Sequence, residues 1–255
     1  CGGCRACVDS SESQCDYLQI IGSDVDGGFA EYVRVHDRHP EKLPQPVSYE
    51  AGSLVANLLS GAYHVVYDRA RIKSDETVVI FGSGGFGLSI LQIGRLTGAH
   101  IYVVDIFDWK LDIAKRFRAT GTLNSNKVNV CEDAILDILH RKADVVIDTI
   151  GVPRTLVQAL RVLRKGGRLV LSGYTDNTLP FLVSQMIANE FTLIGTISAP
   201  QKHIPTVLQL IQNGHIDYKP LITHRYDLEH INEGLNTLRM GQTIRTMIYP
   251  WGVPS

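Results

Sequence analysis

Residues 77–105 read TVVIFGSGGFGLSILQIGRLTGAHIYVVD, and this stretch decides the fold. It begins with Thr77–Phe81, a continuous β-branched and aromatic run that is typical of a buried parallel strand. Apolar residues then recur at helical spacing from Leu88 to Leu96, and Ile101–Val104 forms a second apolar run that ends at Asp105. The stretch therefore predicts a strand, a glycine-rich turn, a helix and a second strand.

The turn between the first strand and the helix matches the pattern G-x-G-x-x-G. In this pattern Gly82 permits the tight turn, Gly84 lets a phosphate approach the backbone, and Gly87 lets the helix pack closely on the strand. The unpaired N–H groups at the start of such a helix attract a phosphate group. The turn therefore predicts a dinucleotide site, whose phosphate-binding residues are Gly82, Ser83, Gly84, Gly85, Phe86 and Gly87.

Asp105 lies 18 residues past Gly87, close to the position of the carboxylate that binds the adenosine ribose in such sites. A carboxylate there accepts hydrogen bonds from the ribose hydroxyls and repels a 2′-phosphate, so it favours NAD over NADP. The alternative is a solvated acid at the end of a strand. Lys110 is expected to be a solvated helix lysine, with contact to the adenosine as the second interpretation.

Strands and helices continue to alternate after Asp105, which predicts βαβ units, a parallel sheet and right-handed crossovers. Ligands bind at the carboxyl ends of such strands. This places five residues near a nicotinamide, although packing alone explains any one of them: Thr149, Ile150, Ser172, Gly173 and Thr196. The predicted helices are 111–118, 132–140 and 154–163, and the predicted strands are 144–148, 168–173 and 192–196, with a turn at 165–167.

Four of the five cysteines lie in the first fifteen residues, at Cys1, Cys4, Cys7 and Cys15. Four thiolates at this spacing can complete a tetrahedral shell around Zn²⁺ that leaves no open position for substrate or water. Two disulfides are an alternative that needs an oxidising compartment, and unligated thiols are a third. Because the rest of the chain holds only Cys131, as is usual for a cytosolic protein, the sequence favours a structural zinc.

Charge and hydropathy exclude several classes of protein. The chain has 255 residues, with 25 Lys and Arg against 26 Asp and Glu. Such a balance lacks the clustered basic excess of a nucleic-acid-binding surface. No apolar run approaches the roughly 20 residues that a membrane-spanning helix needs. We therefore expect a cytoplasmic protein with no nucleic-acid or membrane partner.

The flanking segments are less regular. Residues 29–35 alternate like an antiparallel strand, and Ser48 is placed to cap a helix. Later segments predict helices at 204–212 and 228–239, an extended stretch at 220–224, and a turn and strand at 241–248. The histidines are not favoured as ligands: His64 is expected to be packed or hydrogen-bonded, His36 and His39 to be solvated, and His224 is no better placed.

Taken in order, these motifs resemble the zinc-containing medium-chain alcohol and polyol dehydrogenases over essentially the whole chain. The resemblance implies an α/β fold: a Rossmann-type doubly wound parallel sheet, plus an incomplete, mainly β catalytic domain that is GroES-like in the family. Residues 1–57 would be the remainder of the catalytic domain, with a zinc lobe at 1–15. Residues 58–198 would bind NAD and residues 199–255 would return to the catalytic domain. The motifs are 1–15, 26–32, 82–87 with Asp105, 220–224, 231–234 and 241–245.

The resemblance also implies site residues and partners. Arg245 would reach the cofactor pyrophosphate, the substrate would be a small alcohol, polyol or carbonyl compound, and subunits would form a dimer or tetramer through the sheet edge near 191–194. Asn57 occupies the position of the family's third catalytic-zinc ligand, where an amide is a poor ligand. A helix N-cap or a polar lining residue is the other interpretation of Asn57.

No Gly-His-Glu segment, which precedes the lobe in the family, occurs in this sequence. We therefore expect a fragment of a longer dehydrogenase that is inactive by itself. One alternative is a non-catalytic NAD-binding module or pseudoenzyme. The other is a zinc-free NADPH quinone-reductase type of enzyme, which the cysteine lobe and Asp105 disfavour.

Overall fold

The structure is a computed structural model that describes residues 1–178 and 182–253. It contains two compact units: Cys1–Ser60 together with Ser198–Ser255, and Gly61–Ile197. The strands are β1 Thr77–Phe81, β2 His100–Asp105, β3 Gly121–Asn124, β4 Ala143–Asp148, β5 Leu163–Leu171, β6 Thr192–Gly195, β7 Ile222–Asp227 and β8 Arg245–Tyr249.

Ten α-helices occur in the described residues, with shorter 3₁₀ and π segments between them. The α-helices are α1 Arg5–Val8, α2 Tyr49–Leu54, α3 Ser60–His64, α4 Gly85–Arg95, α5 Asp108–Arg116, α6 Cys131–Leu139, α7 Pro153–Val162, α8 Val183–Asn189, α9 Ile204–Gln212 and α10 Ile231–Arg239. The π segments are Val55–Leu59 and Val65–Arg69, and the 3₁₀ helices are Glu12–Gln14, Ser125–Lys127, Gln201–His203 and Lys219–Leu221.

The unit Gly61–Ile197 is built on a six-stranded sheet of order β3-β2-β1-β4-β5-β6, and every neighbouring pair is parallel. This confirms the predicted doubly wound α/β fold, whose strand order reverses between β1 and β4. Phe81, the last residue of β1, pairs with Val104 on one side and Asp148 on the other. Because the strands are parallel and in register, the segments that follow β1, β2 and β4 start at the same sheet edge.

Helices cover both faces of this sheet, as expected for buried parallel strands. All five residues of β1 are buried. Val79 and Phe81 belong to a cluster that includes Ile135 of α6 and Ala159 of α7. α4 packs on β1 and β2, and four of its side chains are fully buried: Leu88, Ile90, Leu91 and Ile93. Each such burial stabilises the fold by about 1.5–3 kcal/mol.

Several predicted boundaries need correction. α4 begins at Gly85 rather than Leu88, because the glycine turn itself supplies the first helical residues. The predicted turn at 165–167 lies inside β5 as an irregularity: Ala143 pairs with Leu163, yet Val145 pairs with Arg168. Gly166 has a φ of +68°, which allows the extra residues to bulge out of the ladder.

The unit Cys1–Ser60 with Ser198–Ser255 holds the parallel pair β7–β8, with α10 packed on both strands. Ser48 caps α2 as predicted, since its side chain accepts from the N–H of Ala51 at 3.2 Å. The prediction of a strand over residues 29–35 is wrong, because these residues form no strand in the structure. No described strand pairs with this segment, and an unpaired extended segment has no ladder to stabilise it.

Among the described residues, no helix has both the length and the apolar character that crossing a membrane requires.

Candidate functional site

The glycine turn lies at the carboxyl end of β1 and depends on its glycines. Gly82 has a φ of +98°, and a Cβ there would lie 2.4 Å from Oγ1 of Thr149. A Cβ at Gly87 would lie 1.9 Å from the carbonyl oxygen of Gly82, so α4 could not approach β1 this closely with any other residue. Gly84, by contrast, has open space where its Cβ would be. The turn therefore combines two tightly packed positions with one open position.

The open position is the N-cap of α4. The first intrahelical bond runs from the N–H of Leu88 to the carbonyl of Gly84, at 3.0 Å. The N–H groups of the residues between them consequently have no acceptor within the helix. These donors, with the positive end of the helix dipole, can bind a phosphate group.

Asp105 ends β2 beside this turn, half-buried. Its Oδ2 accepts from the N–H of Ser83 at 2.6 Å and from the hydroxyl of Ser83 at 2.7 Å. Its Oδ1 accepts from the N–H groups of Ile106 and Phe107, at 2.7 Å and 3.0 Å. The carboxylate is thus held against the glycine turn rather than freely solvated, which argues against the alternative of a solvated strand-end acid.

Lys110 is buried, so the expectation of a solvated lysine is wrong. α5 begins at Asp108, which places Lys110 in its first turn, with Nζ 4.9 Å from the ring centroid of Phe107 and 5.3 Å from that of Trp109. Burial lowers the pKa of Lys110, and the nearby charge of Asp105 opposes this shift. The ammonium group of Lys110 is thus held over two aromatic rings and near the carboxylate of Asp105, at the end of β2.

The segments after β4 and β5 meet at the same edge. The hydroxyl of Thr149 donates to the carbonyl of Phe81 at 2.7 Å, and Ile150, which is 40% exposed, lies beside Gly82. A Cβ at Gly173 would lie 2.3 Å from the backbone nitrogen of Gly151, so these two chain segments pack backbone against backbone. The predicted residues after β4 therefore adjoin the glycine turn.

Ser172 and Thr196 occupy the next two strand ends. The hydroxyl and N–H of Ser172 and the N–H of Gly173 all donate to the carbonyl of Asp148, at 2.9 Å, 3.0 Å and 3.1 Å. Thr196 follows β6, and its N–H donates to the carbonyl of Leu171 at 3.1 Å. Both segments are hydrogen-bonded to neighbouring strand ends, and both side chains are half-buried.

Two residues at this edge were missed by sequence reasoning. Arg69 donates from Nε and Nη2 to the carbonyl of Gly195, at 3.1 Å and 2.8 Å, and so fixes the end of β6. Asp148 is completely buried: Oδ2 accepts from the N–H of Gly151 at 2.8 Å, while Oδ1 has no hydrogen-bond partner among the described residues. Burial raises the pKa of Asp148. The signal that could have found Asp148 is an apolar strand ending in Asp, the same pattern that identified Asp105.

The four N-terminal cysteines form a cluster whose sulfur atoms all lie within 4.8 Å of one another. Sγ of Cys15 is 3.5 Å from that of Cys1 and 3.7 Å from that of Cys4, and Cys1 and Cys7 are 3.9 Å apart. A tetrahedral zinc with Zn–S bonds of about 2.3 Å requires S···S separations of about 3.8 Å. All four thiols are free, and a hydrogen bond from the N–H of Cys7 is the first cause of a lowered pKa at Cys4. The cluster has the geometry of a four-thiolate metal site.

Asn57 lies within the π segment Val55–Leu59 with an exposed side chain. The interpretation of Asn57 as a helix N-cap is therefore wrong, because Ser48 caps the helix that precedes it. Arg245 opens β8, and its side chain is exposed.

The histidines behave largely as predicted. His64 is buried, with Nδ1 2.7 Å from a carboxylate oxygen of Asp68. His36 and His39 are exposed and share a turn. His224 lies in β7 with Nδ1 3.1 Å from Oγ1 of Thr223.

Comparison with known proteins shows the family to which this chain belongs. A family model described as zinc-binding dehydrogenase matches residues 85–213, about half of the chain. The L-threonine 3-dehydrogenase of Caldanaerobacter subterraneus subsp. tengcongensis is 28% identical, over 98% of this chain and 72% of that protein. The protein named "Probable D-xylulose reductase A" of Emericella nidulans is 30% identical, over 97% of this chain and 70% of that protein.

Solved structures share the fold. A structure described as a short chain alcohol dehydrogenase from E. coli, complexed with NADH, superposes with a TM-score of 0.88 at 23% identity. The superposition covers 97% of this chain and 73% of that one. At this identity the likeness concerns the fold alone.

Proposed function

Because this chain belongs to the zinc-containing medium-chain alcohol and polyol dehydrogenases, we propose that it binds NAD and serves hydride transfer between an alcohol carbon and the nicotinamide. One observation carries the proposal. The glycine turn, the open N-terminus of α4 and the carboxylate of Asp105 lie together where the strand order reverses between β1 and β4. This is the point at which doubly wound sheets bind dinucleotides.

Different groups of the chain bind different parts of NAD. The free N–H groups at the start of α4 bind the pyrophosphate, and Gly84 leaves room for it to approach. Asp105 accepts hydrogen bonds from the adenosine ribose, and Lys110 lies beside it at the adenosine edge. Arg245 is proposed as a further pyrophosphate ligand on the family resemblance alone. Ionised Asp105 repels a 2′-phosphate and thereby favours NAD over NADP.

The nicotinamide end belongs to the segments after β4, β5 and β6. Thr149, Ile150, Ser172, Gly173 and Thr196 lie on these segments, which are hydrogen-bonded to one another or to neighbouring strands. Bound NAD supplies the hydride acceptor at nicotinamide C4. The contribution of the chain is to hold that ring in a fixed orientation.

On the names of the relatives, we propose small alcohols, polyols or carbonyl compounds as substrates. We also propose a dimer or tetramer that forms through the β6 edge.

The cysteine cluster fits a structural zinc. Cys1, Cys4, Cys7 and Cys15 would hold it, which leaves no open coordination position, so its contribution is to the folding of the lobe. Asn57 does not fit a catalytic zinc, because an amide oxygen is a poor ligand for this metal. We therefore propose that the 255 residues alone oxidise no alcohol above background, and turnover by the purified chain would refute this.

Calorimetric titration with NADH and NADPH tests the proposal. We expect NADH to bind more tightly than NADPH, and Asp105→Asn to weaken NADH by about 10- to 100-fold, since a hydrogen bond to a charged group contributes about 1.5–3 kcal/mol. Asp108→Asn is the matched control, because this exposed carboxylate pairs with Lys127 instead. Preference for NADPH would favour the quinone-reductase alternative, and absence of binding to either nucleotide would end the proposal.

The non-catalytic module remains the second candidate, favoured by Asn57. It predicts the same NADH binding as the enzyme. The coding sequence upstream of Cys1 separates the two: a Gly-His-Glu segment there favours the enzyme, and its absence favours the module.

A further inference from the structure

Ser83 is the only residue of the turn 82–87 with a side-chain hydroxyl, and it is completely buried. Its N–H and its hydroxyl both donate to Oδ2 of Asp105, while Oδ1 accepts from the N–H groups of Ile106 and Phe107. An ionised carboxylate offers about four lone-pair sites. The chain itself therefore fills every acceptor site on the carboxylate that is to bind the ribose.

A ribose hydroxyl can donate to Asp105 only where one of these four donors leaves. Three of them are backbone N–H groups, and the backbone around Ser83 is fixed by a hydrogen bond from the N–H of Gly82 to the carbonyl of Val104, at 2.8 Å. The hydroxyl of Ser83 is the one donor that leaves by rotation about a single side-chain bond. The carboxylate keeps its orientation without it, because the three N–H donors remain.

We propose that the Ser83 hydroxyl is an internal competitor of the adenosine ribose. It occupies the lone pair of Asp105 that the ribose 2′-hydroxyl takes when a dinucleotide binds, and this inference rests on the proposed NAD site. Ser83 is thus a positioning residue that acts through Asp105 and weakens ribose binding. Its removal frees an acceptor for a ligand that has a 2′-hydroxyl and for no other.

Isothermal titration with ADP and 2′-deoxy-ADP tests this competition. Both ligands carry the diphosphate and the adenine, and they differ only in the hydroxyl at issue. We expect Ser83→Ala to bind ADP about 3- to 10-fold more tightly than the wild type, because one hydrogen bond no longer has to be displaced. The affinity for 2′-deoxy-ADP stays unchanged.

Ser89→Ala is the matched control. Ser89 is also completely buried, but its hydroxyl donates to the carbonyl of Gly85 in the same helix, at 2.7 Å, and not to Asp105. This variant leaves both affinities unchanged. Ser83→Cys, which keeps a side chain of similar size but a weaker donor, falls between the wild type and Ser83→Ala for ADP.

Two results would overturn the inference: equal or weaker ADP binding by folded Ser83→Ala, or an equal gain for both ligands. Wild-type binding of NADH keeps these results separate from the proposed function. If the wild type binds NADH and Ser83→Ala shows no selective gain, the competition fails alone. If the wild type binds neither NADH nor ADP, both proposals fail.

Discussion

Every residue of β1 is buried, whereas in the cysteine lobe, residues 1–15, only Ser13 and Cys15 are buried. The sheet of the unit Gly61–Ile197 has an apolar core on both faces, so its stability comes from the burial of side chains. The lobe has no such core, and its four cysteine sulfur atoms all lie within 4.8 Å of one another. The difference teaches that packing orders the sheet, whereas the lobe would owe its order to the zinc that we propose for its four thiols.

The largest expected effect is on zinc content, after removal of one thiolate from the cysteine lobe. Cys4→Ser is expected to lower the bound zinc from one per chain to none, because structural zinc sites of this kind contribute about 10–16 kcal/mol and depend on the full ligand set. Metal analysis of the purified protein measures this. NADH binding is expected to persist in Cys4→Ser, since the sheet is ordered by packing.

Cys131→Ala is the control for this experiment. Cys131 is buried in α6, where burial raises the pKa of its thiol to about 11, and it does not belong to the cluster of four cysteines. This variant should keep its zinc. Zinc that is retained in Cys4→Ser, or absent from the wild type, would contradict the ligated lobe.

The next prediction concerns a substitution in the packed unit, Gly61–Ile197. Gly87→Ala places a Cβ 1.9 Å from a backbone oxygen that cannot move without breaking the turn. We expect a loss of about 3 kcal/mol in the free energy of unfolding, together with loss of NADH binding. Chemical denaturation followed by circular dichroism measures the first effect, and the zinc content should not change.

Gly84→Ala serves as the comparison for Gly87→Ala. Its Cβ would meet no atom of the described residues within 4 Å, so stability should be retained while NADH binding weakens. If both variants lose the same stability, close helix–strand packing is not what holds the turn.

The smallest effect concerns pH. Burial raises the folded-state pKa of Asp148, so the folded protein holds its proton more firmly than the unfolded chain does. The contribution of this group to stability is complete below the unfolded pKa of about 3.9 and is lost as pH rises through the higher folded value. Relative to Asp148→Asn, the wild type should therefore lose stability as pH rises above about 4, as thermal melts would show. A stability difference that is flat with pH would show that Asp148 does not titrate in this range.

Local patterns sufficed for the elements whose periodicity is strong. The bounds of β1 and of α9 match the prediction residue for residue, because β1 is a continuous apolar run and α9 has apolar residues at helical spacing. β3 was not predicted, because a four-residue strand that contains Thr122 and Asn124 has no apolar alternation to recognise. The strand predicted at 29–35 failed for the opposite reason: alternation was present but a pairing strand was not.

In the candidate site, too, local sequence patterns predicted some features, whereas others depend on tertiary structure. The spacing between Gly87 and Asp105 could be read directly, since one strand and one helix fix it. The bond between Ser83 and Asp105 could not, because it depends on the register of β1 and β2 and on the rotamer of a single side chain. The burial of Asp148 was likewise invisible, since Asp105 and Asp148 both follow apolar runs and only tertiary packing separates them.

The backbone contact between Gly151 and Gly173 has a genetic consequence. A Cβ at Gly151 would lie 2.5 Å from the carbonyl oxygen of Gly173, and a Cβ at Gly173 would lie 2.3 Å from the amide nitrogen of Gly151. Every single-base change of a glycine codon that alters the residue either adds a Cβ or ends the chain. Neither position can offset a change at the other, because each already lacks a side chain. Divergent descendants of this gene are therefore expected to retain both codons together.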